Sequence, residues 1–389
     1  MRILIIRNFP SFMSVKNNTY NIQEVGLAKA LVRKGHTCDI VFWTDREEEA
    51  VEIPVDETGV IHVFYRHGRT KLKNTIFTDC EDLFEQYDIL QPCEYNQMQA
   101  WLLAKNKPQK TVIYHGPYYC PFNKRYNLMC RMFDLFFLRR YIKQGTRFLV
   151  KSEMAKEFLI EKGIESTNID VVGVGIDAQM LSSKEENCKE SLYKKLKKDR
   201  GNLKLLYIGR FEKRRDIPFI IDVFKRIYEK RPDARLYMIG TGHSEYLKKV
   251  FAYMDTAGVR DKVIWQEQME QKYLSCIYRQ VDFFLLPTEY EIFGMVLLEA
   301  MYYGNVVLTT RNGGSSTLIE NGENGLVFEK KNARQWSDCV LNMSKTDKER
   351  IGEKATLTIA EKYTWDNLAE NFLKQYRTKL VEKSNEKKG

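Results

Sequence analysis

Two glutamates, Glu291 and Glu299, flank Gly294 in a segment that could bind a ligand rich in hydroxyl groups. The apolar run that ends at Pro287 predicts a buried strand, and Gly294 and Gly304 mark the expected start and end of a helix. Glu291 would precede this helix and Glu299 would lie within its first two turns, so both carboxylates could face one ligand. Carboxylates repel phosphate, but they accept hydrogen bonds from the paired hydroxyls of a sugar or a ribose.

The start of the same helix suits an anion. The backbone N–H groups there have no partners within the helix, and a glycine allows a ligand to approach the backbone closely. The two glutamates and the helix start would therefore bind a ligand with hydroxyl, phosphate and hydroxyl groups in that order. A nucleotide sugar has this arrangement. The spacing alone is equally consistent with no binding site. In that case one glutamate would lie in a surface loop, and the other would lie in the helix and pair with a lysine.

A second candidate site lies earlier in the chain. A glycine and a run of cations occupy residues 209–215, directly after the candidate strand at residues 203–208. Arginine forks suit phosphate oxygens, and the charges of Arg210 and Arg215 could stabilise a departing diphosphate. A run of this kind is otherwise typical of a solvated loop. Gly240 and Gly242 follow the next predicted strand and could border the nucleotide, although two glycines at this spacing are a weak signal.

His115 follows a predicted strand at residues 111–114. If it faces a cleft, its imidazole could donate a hydrogen bond to a donor sugar or accept one from an acceptor. A lone histidine in this position is more often structural, and only the two-domain context favours the functional interpretation.

Strand patterns alternate with helix patterns along the whole chain, except in residues 180–202, which are rich in lysine, glutamate and serine. This alternation predicts an α/β fold with two doubly wound, Rossmann-like domains facing a central cleft. We expect the N-terminal domain to span residues 1–180 and the second domain to span residues 181–365. Ligands of such sheets bind beyond the carboxyl ends of the strands.

The composition of the 389 residues limits the protein class. Apolar residues make up 43% of the chain, no apolar run approaches the ~18 residues of a membrane span, and the eight cysteines include no C-x-x-C pair. These features predict a cytoplasmic protein. The net charge of +10 suits phosphorylated small molecules or an anionic membrane, and no motif indicates nucleic acid.

Residues 120–146 combine aromatic and aliphatic side chains with six cations. This pattern predicts either a basic amphipathic helix on the inner face of the plasma membrane or an ordinary helix with a solvated basic edge.

The Glu-x7-Glu segment and its surroundings resemble the retaining nucleotide-sugar glycosyltransferases of family 4, which have the GT-B fold. The likeness covers nearly the whole chain in order: residues 35–36, 111–116, 171–177, 209–210, 287–300, 313–314, 324–326 and 363–365. The Glu-x7-Glu context is specific, whereas the other motifs are weak singly.

The resemblance implies a role for each matching residue. Glu291 would hold donor-sugar hydroxyls, Glu299 the ribose hydroxyls, and His115 would lie near the reacting carbon. The backbone N–H groups of Phe293, Gly294, Met295 and Val296 would contact the sugar and the diphosphate. Residues 1–180 would form the acceptor side, completed by residues 366–389 that cross back, and residues 181–365 would form the donor side. Arg210 and a second cation would balance the leaving diphosphate; Arg215 is at the matching position, with Lys213 nearby as the rival. The family implies transfer of a hexosyl-type sugar with same-face attack, without an enzymic nucleophile. No D-x-D motif is present, so we expect no metal and no other cofactor.

The implied donor is a UDP- or GDP-sugar, and the implied acceptor is a glycan or a lipid-linked glycan of cell-surface polysaccharide or lipopolysaccharide synthesis. The family's N-terminal glycine-rich loop is replaced by residues 17–21, which leaves the acceptor position open. Alternatives are a nucleotide-sugar epimerase or a phosphorylase of the same fold, or a non-catalytic partner subunit of a transferase.

Overall fold

The chain folds into two compact units in the computed structural model, which describes residues 1–16, 22–178, 188, 191–199 and 202–386. Unit 1 comprises Met1–Gly175 together with Thr364–Gly389, and unit 2 comprises Ile176–Tyr363. The segment expected between the domains, residues 180–202, lies partly outside the described residues.

Unit 1 contains a five-stranded sheet, a three-stranded sheet and a hairpin. Its strands are β1 (Arg2–Arg7), β2 (Thr37–Trp43), β3 (Glu49–Val55), β4 (Gly59–Arg66), β5 (Gly68–Lys71), β6 (Asn74–Phe77), β7 (Ile89–Pro92), β8 (Val112–His115), β9 (Arg147–Val150) and β10 (Ile169–Val171). The orders are β3-β4-β2-β1-β7 and β10-β9-β8, and β5 pairs with β6. All pairs are parallel except β3 with β4 and β5 with β6. A bridge between Cys93 and Tyr114 links the chain after β7 to β8.

The helices of unit 1 before the domain boundary are α1 (Gln23–Arg33), α2 (Glu81–Glu85), α3 (Met98–Asn106), α4 (Lys124–Phe133), α5 (Arg139–Lys143) and α6 (Glu153–Glu161). Gly35 follows α1 closely and has a φ of +78°. Residues 120–146 do not form one continuous α-helix, because a π-helical turn at Asp134–Leu138 separates α4 from α5.

Unit 2 is a six-stranded parallel sheet with helices between its strands. The strands are β11 (Lys204–Ile208), β12 (Arg235–Ile239), β13 (Val263–Gln266), β14 (Phe283–Leu286), β15 (Val306–Thr310) and β16 (Leu326–Phe328). Their order is β13-β12-β11-β14-β15-β16, so the direction of winding reverses between β11 and β14. The helices are α7 (Ser191–Lys198), α8 (Ile217–Lys230), α9 (Ser244–Ala257), α10 (Gln271–Tyr278), α11 (Met295–Tyr302), α12 (Ser315–Leu318), α13 (Ala333–Asn342) and α14 (Lys345–Lys362).

The last helix, α15 (Trp365–Glu386), belongs to unit 1. Trp365 packs so closely on Gly26 that a Cβ added at residue 26 would lie 2.1 Å from the indole nitrogen. Lys34 pairs with Glu370 at 2.7 Å along the same contact. The predicted α/β architecture with two doubly wound sheets and a returning C-terminal helix is therefore confirmed.

Candidate functional site

The strands β11 and β14, where the order of the unit 2 sheet reverses, are direct neighbours with Leu205 opposite Phe283. The loops that follow them also touch, because the Thr288 hydroxyl lies 3.3 Å from the Arg214 carbonyl. Such a switch point is where doubly wound sheets bind ligands. Most of the site residues predicted in the second half of the chain lie on these two loops.

Glu291 and Arg215 form the central ion pair of this site. Nη2 of Arg215 lies 2.5 Å from Oε2 of Glu291, and the two side chains are only 10% and 15% exposed. Nη1 of Arg214 lies 3.6 Å from the same oxygen. Glu291, which is predicted to bind a sugar, therefore pairs with Arg215, which is predicted to bind a phosphate.

The Arg215 guanidinium keeps two hydrogen-bond donors without partners. Its Nε and Nη1 are buried and make no hydrogen bond to any part of the chain that the structure describes. The Glu212 carboxylate, 4.0 Å from Nε, is too distant for a hydrogen bond. Leaving buried charged donors unmet is costly, so an anion at this position would be strongly favoured.

The other cations of residues 209–215 differ in their exposure. Arg210 and Lys213 are exposed, whereas Arg214 is partly buried. Arg214 was not predicted as a site residue, yet its guanidinium lies 2.7 Å from the Glu212 carboxylate and donates to the Tyr290 carbonyl at 2.6 Å. It thereby ties the loop after β11 to the loop that carries Glu291.

The α11 helix begins directly behind Glu291. Gly294 adopts a φ of +83°, a left-handed conformation that other residues rarely adopt, and no side chain caps the helix. Its carbonyl accepts from the N–H of Leu297 at 2.9 Å. The N–H groups of Met295 and Val296 precede this bond and have no acceptor within the helix. Phe293 is buried, so its side chain anchors the loop.

Gly313 and Gly314 hold this loop in place through close backbone contact. The N–H of Gly313 donates to the Glu291 carbonyl at 2.9 Å. A Cβ at Gly313 would lie 2.2 Å from the Ile292 carbonyl oxygen, and one at Gly314 would lie 1.8 Å from the Phe293 oxygen. Only glycine fits at either position without moving the loop.

We therefore expect Gly314→Ala to lower the free energy of unfolding by about 1–3 kcal/mol and also to weaken nucleotide binding, because the added methyl displaces Phe293 and the start of α11. Thermal unfolding with and without nucleotide measures both effects. Gly322→Ala is the control: its Cβ would meet nothing within 4 Å, but its φ of +84° disfavours alanine. It should lose about 1–2 kcal/mol and keep nucleotide binding. Normal binding by the Gly314 variant would contradict the role of this contact.

Glu299, the fifth residue of α11, is buried, and both of its carboxylate oxygens accept hydrogen bonds. Oε1 accepts from Nε2 of Gln271, and Oε2 accepts from the hydroxyl of Tyr278, each at 2.8 Å. Neither Gln271 nor Tyr278 was predicted as a site residue. Their spacing of seven residues, which places them on one face of α10, is the only signal that could have found them.

Gly240 and Gly242 have a structural reason to be glycine. Their added Cβ atoms would lie 1.9 Å and 2.1 Å from the carbonyl oxygens of Gly209 and Phe211. Gly240 also has a φ of +145°. The chain after β12 thus runs against the chain after β11, and a role for these glycines at the nucleotide stays a prediction.

In unit 1, His115 is the last residue of β8 and is fully buried. Its Nδ1 lies 2.8 Å from Oε2 of Glu94, a residue that the sequence did not single out. The predicted role of His115 beside a reacting carbon stays a prediction. Residues 17–21, which replace the family's glycine-rich loop, lie outside the described residues.

The sequence matches two family models over most of its length. Residues 25–180 match the model described as Glycosyltransferase Family 4, and residues 189–358 match Glycosyl transferases group 1.

Curated relatives are similar over shorter stretches. An uncharacterized glycosyltransferase of Methanocaldococcus jannaschii, MJ1607, is 32% identical over 177 residues, which cover 44% of each chain. The lipopolysaccharide 1,2-N-acetylglucosaminetransferase of Salmonella typhimurium is 26% identical over 241 residues, which cover 59% of this chain and 62% of the relative. The chain thus spans about half to three fifths of the length of these relatives.

Among solved structures, a glycosyltransferase from Rickettsia africae superposes with a TM-score of 0.72 at 18% identity and covers 97% of this chain and 99% of that one. At this identity the likeness concerns the fold. The superposition and the sheet order show the GT-B fold, and the two family models show that the chain belongs to the family 4 glycosyltransferases.

Proposed function

We propose that the protein transfers a hexosyl-type sugar from a UDP- or GDP-sugar to a glycan or lipid-linked acceptor and retains the anomeric configuration. The observation that carries this proposal is the buried guanidinium of Arg215 at the sheet's switch point, with two donors lacking partners. An anion that reaches Nε and Nη1 would satisfy these donors, while Nη2 keeps its ion pair with Glu291. The diphosphate of a nucleotide sugar is an anion of the required charge.

The rest of the site supports the same ligand. The N–H groups of Met295 and Val296 would donate to the diphosphate, and the positive end of the α11 dipole would favour its charge. Glu291 would hold sugar hydroxyls beside the phosphate. Glu299, already oriented by Gln271 and Tyr278, would accept from the ribose hydroxyls. Arg210 is exposed and would complete the phosphate site from the solvent side.

In the proposed reaction, the bond between the sugar's anomeric carbon and the diphosphate oxygen breaks. A bond forms on the same face to the acceptor oxygen, and the acceptor's proton passes to the leaving diphosphate. Arg215 and Arg210 stabilise the charge that develops on that diphosphate. We propose that this charge role of the arginines makes the reaction independent of a divalent metal.

The similarity to a lipopolysaccharide N-acetylglucosaminetransferase supports an acceptor from cell-surface polysaccharide synthesis. A donor panel tests the enzymatic proposal: UDP-, GDP- and ADP-sugars are incubated with the protein, and slow release of the nucleoside diphosphate is measured. We expect release from one donor class. With an acceptor supplied, NMR should show that the new glycosidic bond keeps the donor's anomeric configuration. An inverted product would overturn the retaining mechanism. No release from any donor would favour the alternative of a non-catalytic partner subunit.

An anionic membrane surface is the proposed location. Along α4 and the π-helical turn, Leu135 and Phe136 are 74% and 64% exposed. Arg131 on α4 and Arg139 and Arg140 at the start of α5 are exposed as well. The acidic residue of the π-helical turn, Asp134, pairs with Lys162. Apolar side chains with cations around them complement the headgroups and outer acyl region of anionic lipids. None of the described helices is both long and apolar enough to span a membrane.

We expect the protein to float with phosphatidylglycerol-containing vesicles at low salt, and binding to weaken as salt screens the arginines. The double variant Leu135→Ser/Phe136→Ser should lose most of this binding, because the apolar side chains no longer enter the bilayer. Leu357→Ser is the matched control, since Leu357 is 53% exposed on α14, a helix of unit 2. Equal flotation of the double variant and the control would contradict the proposed surface.

A further inference from the structure

Glu94 is the second residue after β7. The unit 1 sheet reverses its winding here, because β1 pairs with β2 on one side and with β7 on the other. The φ of Glu94, +65°, is left-handed, a conformation that costs a residue with a side chain about 1–3 kcal/mol. Strained backbone of this kind persists only where other interactions hold it, and it is concentrated at functional sites.

The interactions that hold Glu94 converge on its carboxylate. Oε2 accepts from Nδ1 of His115 at 2.8 Å and from the N–H of Gly116 at 3.1 Å. Nζ of Lys151 lies 3.7 Å from Oε1. Burial alone would raise the pKa of Glu94, but Lys151, His115 and the Gly116 N–H together lower it below its ordinary value. Glu94 is therefore an ionised acceptor at neutral pH.

An ionised carboxylate can only accept, so Nδ1 of His115 carries the proton of this hydrogen bond. The neutral ring then has its lone pair on Nε2. The ring also cannot turn easily, because it stacks on Phe158 at 5.7 Å and meets the edge of Tyr95 at 5.1 Å. Nε2 is buried and has no hydrogen-bond partner in the described part of the chain. A buried acceptor in a fixed ring calls for a donor from outside the protein.

We propose that Glu94 is a positioning residue that fixes the tautomer of His115, so that Nε2 accepts a hydrogen bond from a hydroxyl of the sugar substrate. This inference rests on the proposed function and on the family resemblance, which implies that His115 lies near the reacting carbon. Lys151 keeps Glu94 ionised without taking the position at Oε2 that His115 occupies.

The test compares variants that suit the backbone of residue 94. Asparagine and glycine tolerate a positive φ but cannot reach His115, whereas Glu94→Gln keeps an oxygen for the Nδ1 proton. Glu85→Asn is the control, because Glu85 is an exposed glutamate of unit 1 that pairs with Lys107 and Lys110. We expect Glu94→Asn and Glu94→Gly to lower kcat about 10- to 100-fold with little change in the KM of the donor. Glu94→Gln should retain more activity, and Glu85→Asn should match the native protein.

Two further measurements separate positioning from a merely structural role. In ¹⁵N-histidine NMR of the ligand-free protein, with His115→Gln used to assign the ring among five histidines, the Nδ1-protonated form should be lost in Glu94→Asn and kept in Glu94→Gln. In the His115→Ala background, Glu94→Asn should lower kcat no further. Additive losses, or an unchanged tautomer in both Glu94→Asn and Glu94→Gly, would overturn the proposal. Full activity of His115→Ala would instead refute the catalytic placement of His115, while the NMR result still decides whether Glu94 fixes the ring.

Discussion

Replacing Arg215 with methionine is expected to lower kcat/KM for the nucleotide-sugar donor by about 10²- to 10³-fold, the usual effect of removing one preorganised donor from a developing anion. The side chain offers the leaving diphosphate two buried donors that the described chain leaves without partners. Steady-state kinetics with the preferred donor measure this loss. The same variant should unfold at lower temperature, because Glu291 loses the cation that lies 2.5 Å away in a nearly buried pair.

A double variant distinguishes the catalytic effect from the loss of stability. Arg215→Met/Glu291→Gln removes both charges, so it should recover most of the stability that Arg215→Met loses, an effect of up to about 3–5 kcal/mol. It should recover no activity. Arg231→Met is the matched control, because Arg231 pairs with Asp233 at 2.8 Å on an exposed part of the same unit. If activity returned together with stability, Arg215 would be a structural residue.

Replacing Glu299 with glutamine should raise the Kd of the nucleotide-sugar donor about 10- to 100-fold and change kcat much less. Losing a hydrogen bond to a charged acceptor costs about 1.5–3 kcal/mol, which corresponds to that range of affinity. The amide preserves the shape of the side chain and can still accept from Tyr278, whereas Gln271 would need to turn its own amide. Isothermal titration with the nucleoside diphosphate measures the change.

A nucleotide without ribose hydroxyls makes this test specific. A 2′,3′-dideoxynucleoside diphosphate should bind the native protein and Glu299→Gln with nearly the same affinity, because the proposed partners of Glu299 are absent. Glu349→Gln, on the exposed side of α14, should bind both nucleotides as the native protein does. A large difference between the native protein and Glu299→Gln with the dideoxy compound would show that Glu299 acts through the fold.

The sequence predicted the architecture because its signals are local. Gly294 and Gly304 flank α11 as expected, and the buried strand before Pro287 is β14. The hairpin of β5 and β6 was not predicted. Both strands have only four residues, and β5 contains no apolar residue that would indicate a strand. The prediction of one amphipathic helix in residues 120–146 was wrong in detail, because a π-helical turn follows Phe133. The spacing of apolar residues does not reveal such a turn.

The site was predicted less completely, because its contacts join distant parts of the chain. The sequence could not decide between Lys213 and Arg215; the 3₁₀ turn at Lys213–Arg215 buries the arginine and exposes the lysine. It also missed Arg214, whose role is to join two loops, and Glu94, which lies twenty-one residues before His115. Only the pairing of strands brings such residues together.

The most direct test of the central claim, that the switch point of unit 2 binds a nucleotide sugar through Arg215, is a thermal-shift titration with UDP-, GDP- and ADP-sugars. A donor bound only by the folded state raises the melting temperature, by an amount that grows with the ratio of its concentration to its Kd. We predict that one base class stabilises the native protein and fails to stabilise Arg215→Met/Glu291→Gln. Equal stabilisation of both proteins, or no stabilisation of the native protein by any donor, would contradict the claim.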